Sequence, residues 1–366
     1  MTDTDAPYAP PFCPNPHCDF HRLASPHWRV HRDGCFTRRR PPHRVQRYRC
    51  LHCRRHFSDQ TFRVSYWLKR PDLLPRVFHR LLGCSGFRQI AREFGVSPTT
   101  VLTHAARLGR HCLLFHERER PRGPLTEPVV LDGFESFEYS QYWPTSFHVV
   151  AGARSHFFYG FTDSECRRRG RMTERQRRRR ARLEALHGRP DPRSIEREVA
   201  QLFSILAPQP QALDLDSDDH RAYPRALARL PHLTIRHRIT SSRRVRTPEN
   251  PLFPVNLLDL LIRHGSANHK RETIAFSKRR QSAVERLAVL LVWRNYMKSF
   301  SERRRDGSPA MRLGLSLRRL ELGEVLRERL FPSRIRLPLR WMEYYRRTTR
   351  TRQIPRGGEH RLTYAF

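Results

Sequence analysis

Four thiols and three carboxylates in this 366-residue chain have the types and spacings to hold metal ions, for two different purposes. Cys13 and Cys18 form one close pair and Cys50 and Cys53 another, with 31 residues between the pairs. That is the spacing of a tetrahedral zinc ribbon, in which each short loop grips two corners and soft thiolates suit Zn²⁺. Four thiolates close the coordination sphere, so the zinc is expected to be structural. His17, His21, Cys35 and His52 lie nearby in sequence as spare donors. Pairs of this kind point to a metal in a reducing compartment rather than to a disulfide framework.

The carboxylates suit harder ions. Asp132 follows the apolar run Val129-Val130-Leu131 and precedes Gly133, which places its side chain at a strand exit. Asp218 lies just past a fourth strand, in Asp216-Ser217-Asp218-Asp219-His220-Arg221-Ala222-Tyr223. Asp214, Asp216 and Asp219 compete with it, and its spacing of five before Tyr223 favours it. Asp259 comes 41 residues later, on a helix where Asn256 at i−3 and Arg263 at i+4 share its face. Glu249 is an alternative third carboxylate, and Glu135, Glu138 and Asp163 stand near strand ends as supporting groups. Such a set would hold two Mg²⁺ or Mn²⁺ ions roughly 3.5–4 Å apart, one activating a water or 3′-hydroxyl and the other stabilising the leaving oxygen.

The rest of the sequence reads as elements that position these groups on a polyanion. Lys and Arg number 71 against 35 Asp and Glu, a net charge of +36, and all but four of the cations are arginine. That balance implies a nucleic-acid partner. From Pro71 to Leu114 the apolar residues recur at threes and fours, which predicts three short helices. Within them Gly95 can take the left-handed turn, Ser97 can cap the next helix and Pro98 sits at its first position, the grammar of a helix-turn-helix. Arg88, Gln89, Ser97, Thr99, Thr100, Thr103 and His104 are then the candidate DNA contacts, the last four facing the major groove.

After a Pro-rich linker at 121–128, strands are expected around Val129–Leu131, Phe147–Val150 and Phe157–Phe161. A basic helical insertion follows, with ten arginines in the sixteen residues from Arg167 to Arg182. Then come strand, helix, strand and long helices at about Pro254–Arg263 and Arg280–Phe300. The expected organisation is a multidomain α+β chain: a disordered N-terminus at 1–11, a zinc ribbon at 12–62 and a helix-turn-helix domain at 71–118. An α/β catalytic domain at 125–320 with the insertion at 165–207 and a basic C-terminal region at 321–366 complete it. Aromatic and arginine residues alternate at Trp341-Met342-Glu343-Tyr344-Tyr345-Arg346-Arg347, a pattern able to stack on or track DNA as well as to pack. No run of eighteen apolar residues occurs and the opening residues lack an apolar signal segment, so no membrane association and a cytoplasmic, nucleoid-associated location are expected.

In this order the pieces resemble a bacterial insertion-sequence transposase of the DDE type. The resemblance rests on the four cysteines, the Arg88–His104 hairpin, Val130-Leu131-Asp132-Gly133, Asp218–Tyr223 and the string Asn268-His269-Lys270-Arg271-Glu272-Thr273-Ile274-Ala275-Phe276-Ser277-Lys278. That last string is most similar to transposases of the smallest insertion sequences. The resemblance implies a ribonuclease-H-like catalytic domain, Mg²⁺-dependent nicking at element ends, transfer of the freed 3′-hydroxyl to target DNA, and a dimer or larger assembly pairing two ends. In that family the third carboxylate is usually Glu with Asn three residues on; here Asn256 comes first and Asp259 second. A non-catalytic DNA-binding protein, whether regulator or decayed transposase, and a stand-alone nuclease of the same fold are the competing expectations.

Overall fold

The computed structural model describes residues 8–354, apart from 24, 40, 271, 272 and 304. Residues 1–7 of the expected disordered N-terminus, Arg271 and Glu272 of the string above, and 355–366 of the basic tail lie outside the described residues. The chain is a mixed α+β protein with two sheets.

The first sheet is antiparallel and ordered β1 (Val30–Thr37), β2 (Arg44–Cys50), β3 (His56–Ser58). It has few aliphatic residues to bury, and its core is aromatic: Tyr48, Phe57 and Phe62 packed with Phe331 from the far end of the chain. The Tyr48 hydroxyl donates to the Tyr8 carbonyl at 2.9 Å, and the Tyr8 ring packs against Tyr48 and Phe62. Tyr8 is therefore held against this sheet.

Three helices follow, α1 (Leu73–Leu82), α2 (Phe87–Phe94) and α3 (Pro98–Glu119). The turn between α2 and α3 forms for the local reasons the sequence gives. Gly95 adopts φ +60°, and Ser97 accepts a hydrogen bond from the Thr100 N–H at the start of α3. The third helix is not short. It runs 22 residues, and Cys112, Leu113, Leu114 and Phe115, apolar all round, are buried. It packs on α8 (Arg280–Val292), which is also buried on every side. The crossing is so close that a Cβ on Gly109 would lie 2.6 Å from the Glu285 Cα and carbonyl oxygen. Backbone cannot yield there as a side chain would. Gly109→Ala, which in an open helix gains about 1 kcal/mol, is therefore expected to lose about 1–3 kcal/mol through overpacking. A thermal midpoint equal to that of the wild type would contradict this crossing.

The second sheet has five strands, β4 (Val129–Phe137), β5 (Pro144–Gly152), β6 (Phe158–Glu165), β7 (Gln211–Ser217) and β8 (Leu233–Ile239). Their spatial order is β6-β5-β4-β7-β8. The β4–β5 and β5–β6 pairs are antiparallel, and β4–β7 and β7–β8 are parallel. Buried on both faces, β5 is protected along its whole length. Between β6 and β7 lie α4 (Glu174–His187) and α5 (Ser194–Leu206), and only α4 has the peripheral, basic character expected of the insertion. It buries Leu183 alone, whereas α5 buries Val199, Leu202, Phe203 and Leu206 and packs against β6. Between β7 and β8 is α6 (Ala222–Leu227), and α7 (Phe253–Gly265) then packs across β4 and β5.

Past α8, a π-helical turn at Trp293–Met297 leads into short helices α9 (Pro309–Arg312) and α10 (Leu322–Val325) and then α11 (Leu339–Arg346). The aromatic residues of α11 are core and do not face DNA, which settles the open reading of that stretch. Trp341 is fully buried, donates to the Phe161 carbonyl at 3.0 Å and fills the notch left by Gly160. Tyr344 donates to Asp163 and stacks on Phe161. No helix among the described residues is long and apolar enough to cross a membrane.

Candidate active site and metal centre

At the N-terminal sheet, the chain presents Cys13 and Cys18 from one loop and Cys50 and Cys53 from the end of β2 and the turn beyond it. Their four sulfurs lie within 4.8 Å of one another. The Trp28 indole N–H donates to the Cys50 sulfur at 3.3 Å. Burial acts to raise the Cys50 thiol, but that N–H and the neighbouring main-chain donors bring it down to about 7. Burial pushes Cys13 well above the ordinary thiol range and Cys18 up to about 11. Four convergent soft donors, one already stabilised as thiolate, fit a tetrahedral zinc ion. The spare donors are used otherwise. His21 bonds the Cys13 carbonyl and the Ser333 hydroxyl, His52 pairs with Asp19, and His17 and Cys35 are exposed.

The carboxylates meet elsewhere, in a cleft of about 410 Å³ whose walls include Asp132, Asp218, Asp259, Glu135 and Asn256. The sheet brings the first two together. Along β4 the parallel partner β7 ends at the Leu131–Ser217 pair, while β4 continues beside β5 as far as Phe137. Asp132 is thus the first β4 residue past the end of β7, and Asp218 is the first residue after β7. Ligand sites in open sheets form at such a point, where neighbouring connections depart in opposite directions. Asp132 stands in mid-strand, not at a strand exit: the strand expected to stop at Leu131 is continued by antiparallel pairing through Gly133 to Phe137.

Each carboxylate is oriented. The Gly133 N–H donates to Asp132 Oδ1 at 2.6 Å and the His220 N–H to Asp218 Oδ1 at 3.1 Å. The Arg263 Nε donates to Asp259 Oδ2 at 3.0 Å, and its Nη1 donates to the His269 carbonyl at 3.0 Å. Asp259 Oδ1, by contrast, is buried without a hydrogen-bond partner. Asn256, Asp259 and Arg263 all reach the cleft because i, i+3 and i+7 share one face of α7. Burial, together with the charges of Asp218 and Asp259, raises Asp132 to about 7, and burial also raises Asp218.

All-oxygen donors, mutual repulsion and an orphaned buried oxygen fit a hard divalent cation. As a set the three carboxylates are looser than the cysteines, which among the described residues are the only group holding three or more donor atoms within 4.8 Å. A cation held by Asp132 would have to displace its proton, so affinity is then expected to be about tenfold higher at pH 8 than at pH 6. A Mn²⁺ titration giving equal affinities at the two pH values would remove Asp132 from the ligand set.

Other acidic candidates lie outside the cleft. Asp216 is buried in a two-bond pair with Arg238 at 2.9 and 2.7 Å, Asp214 pairs with Arg236, and Asp219 accepts from the Ser242 N–H. Glu249 is exposed and does not line the cleft. Glu138 and Asp163 are not supporting groups of the site: both are buried in an ionic network with Arg280, and Asp163 also with Arg340, which ties β6 to α8 and α11. The sequence reading missed Arg244, Arg246 and Asn250, which line the same cleft from the segment after β8. In a chain with 67 arginines no local signal sets the two apart.

On α2, α3 and the turn between them, Arg88, Gln89, Ser97, Thr99 and Thr103 are exposed and Thr100 is half-buried. His104 does not face outward. It is buried, with Nδ1 2.7 Å from the Thr100 carbonyl and Nε2 2.7 Å from the Arg70 carbonyl, so it joins α3 to the segment before α1.

No family model matches the chain, and no curated protein matches it. Among solved structures it is similar to a chain of the simian T-cell lymphotropic virus intasome in complex with PP2A regulatory subunit B56 gamma. The two are 15% identical over 62% of this chain and 68% of that one, with a TM-score of 0.25.

Proposed function

We propose that this chain is a DDE-type transposase that cleaves and joins DNA strands with Asp132, Asp218 and Asp259 as its metal-binding carboxylates. The observation that carries this reading is the cleft itself: three aspartates far apart in sequence meet where β7 ends beside β4, in a chain of charge +36. We read the five-stranded sheet, with its antiparallel trio followed by two parallel strands, as a ribonuclease-H-like layout. Mg²⁺ or Mn²⁺ bound to the carboxylates would supply an activated water or 3′-hydroxyl and stabilise the departing oxygen. The protein's own part is orientation. The Gly133 and His220 N–H groups fix Asp132 and Asp218, and Arg263 fixes one oxygen of Asp259 while the other stays available.

In this reading the ribbon (12–62) and the helix-turn-helix (71–118) bind element ends, with Arg88, Gln89, Ser97, Thr99, Thr100 and Thr103 as the contact set. The exposed arginines of α4 hold phosphates. Pairing of two ends calls for a dimer or larger assembly acting on nucleoid DNA. The test is a strand-transfer assay with DNA from the flanks of the coding region, in Mg²⁺ and in Mn²⁺. Joined products support the transposase; cleavage without joining indicates a nuclease, and binding without either product a regulator or decayed enzyme. Short inverted repeats bounded by a direct duplication in the flanking DNA would favour the first outcome.

A further inference from the structure

We infer that the segment Ser241–Asn250 is a phosphate clamp, in which Arg244 and Arg246 hold the backbone of a nucleic-acid strand against the carboxylate cleft. This rests on the reading of the cleft as a phosphoryl-transfer site, and it assigns the residues that would hold the substrate there. Apart from Arg263, which is paired with Asp259, the charges in the cleft are segregated. Asp132, Asp218 and Asp259 come from β4, the end of β7 and α7, while Arg244 and Arg246 come from the one loop between β8 and α7. Arg246 is near enough to Asp132 for its charge to act on that carboxyl.

Yet among the described residues neither Arg244 nor Arg246 forms an ion pair, although the molecule pairs many other arginines with acids, Arg263 with Asp259 in this same cleft included. Guanidiniums that line an acidic cleft without engaging its acids are available to a ligand that brings its own negative charge. A phosphodiester does so, and the guanidinium fork matches its oxygens two at a time.

The loop is built to hold that position. Asn250 is buried, and its Nδ2 donates to the Val245 carbonyl at 2.8 Å, between the two arginines. The same side chain's Oδ1 accepts from the Leu252 N–H at 2.9 Å, tying the loop to the start of α7. At the other end the Thr240 N–H donates to the Ser217 carbonyl at 2.9 Å and the Arg244 N–H to the Ser241 carbonyl at 3.0 Å. The loop is thus anchored next to Asp218 on one side and to the helix bearing Asp259 on the other. Its guanidiniums extend from a fixed main chain.

The experiment compares full-length wild type with Arg244→Ala, Arg246→Ala, the double variant and Arg246→Lys. Affinity for a short duplex with a recessed 3′ end is measured across a salt series with Ca²⁺ in place of Mg²⁺, alongside strand joining in Mg²⁺. Both arginines are exposed, so unchanged zinc content and thermal midpoint are expected and verify the fold. Loss of one phosphate contact should lower the slope of log affinity against log salt by about 0.9, and the double variant by about twice that. Joining is expected to fall roughly a hundredfold per arginine. Arg246→Lys should retain the slope and recover joining only in part.

A double variant with the wild-type salt slope overturns the clamp, whatever joining does. The slope needs no catalysis, so wild-type protein that makes no metal-dependent product would sink the transposase reading while the binding series still decides the clamp.

Discussion

Asp132→Asn is expected to abolish strand cleavage and joining, by several orders of magnitude, while DNA affinity persists or rises. The amide keeps the shape of the side chain and can still accept the Gly133 N–H, so position is preserved and only the charge is lost. That charge is the one the site most constrains. Asp132 lies between Asp218 and Asp259 electrostatically, and burial with those two neighbours lifts it to about 7. The same substitution should make the cation-free protein more stable, and the sign follows from linkage. A carboxyl whose folded pKa is raised is favoured when protonated, so stability is greatest below its unfolded value near 3.8 and declines as pH rises towards 7. Asparagine cannot ionise, and at pH 8 the variant should exceed the wild type by on the order of a few kcal/mol. Thermal unfolding at pH 5 and pH 8 measures this: the gain should be small at the lower pH and larger at the higher. Asp218→Asn should behave alike in activity. Full-rate joining by either variant would remove that residue from the reaction, and a loss of activity accompanied by lower stability would point to misfolding instead of a lost ligand.

The cleft was partly legible because its acids stand out in a basic chain, but the reasons they meet were not all local. Asp218 could be preferred over Asp214, Asp216 and Asp219 by spacing, and the structure supplies what spacing could not: Arg238 occupies Asp216, and Asp218 alone of the four lines the cleft. The continuation of β4 past Asp132 depends on antiparallel pairing with β5, a long-range contact that Gly133-Phe134-Glu135 does not announce. Arg244 and Arg246 were hidden by abundance, since one pair among 67 arginines carries no statistical signal. The turn residues Gly95, Ser97 and Pro98 were readable because capping is local. His104 and the length of α3 were not, because an apolar run such as Cys112–Phe115 has no preferred face, and only the approach of α8 at Gly109 gives it one. The C-terminal aromatics stayed open between stacking and packing for the same reason. Trp341 suits either role until the notch at Gly160 is in view.

Removing the zinc-binding capacity of the N-terminal sheet is expected to unfold that sheet and leave the five-stranded one intact. The first sheet buries an aromatic cluster but little aliphatic core, and its loops 8–29 and 50–56 bring the four sulfurs together. Small modules of this kind draw their folding free energy from the metal. After chelation the buried thiols Cys13 and Cys18 would take protons, and in Cys50→Ser the Trp28 indole would also lose its sulfur acceptor. The consequence extends to the other end of the chain. Phe331 packs on Phe12 and Phe62, and Ser333 bonds His21, so the segment before α11 should be released with the ribbon. The remaining core, from α1 through the five strands to α8, has its own buried contacts and should persist. Wild-type protein is therefore expected to carry one zinc per chain. Limited proteolysis of the stripped protein should cut first before about residue 70 and near 331, with a protected fragment between. Trp28 fluorescence should shift to the red, and, if the ribbon contributes recognition as proposed while α4 and the cleft loop contribute charge, specific end binding should fall more steeply than binding to unrelated DNA. Full metal loss with no change in fluorescence or cleavage pattern would show that the aromatic cluster holds the ribbon without an ion.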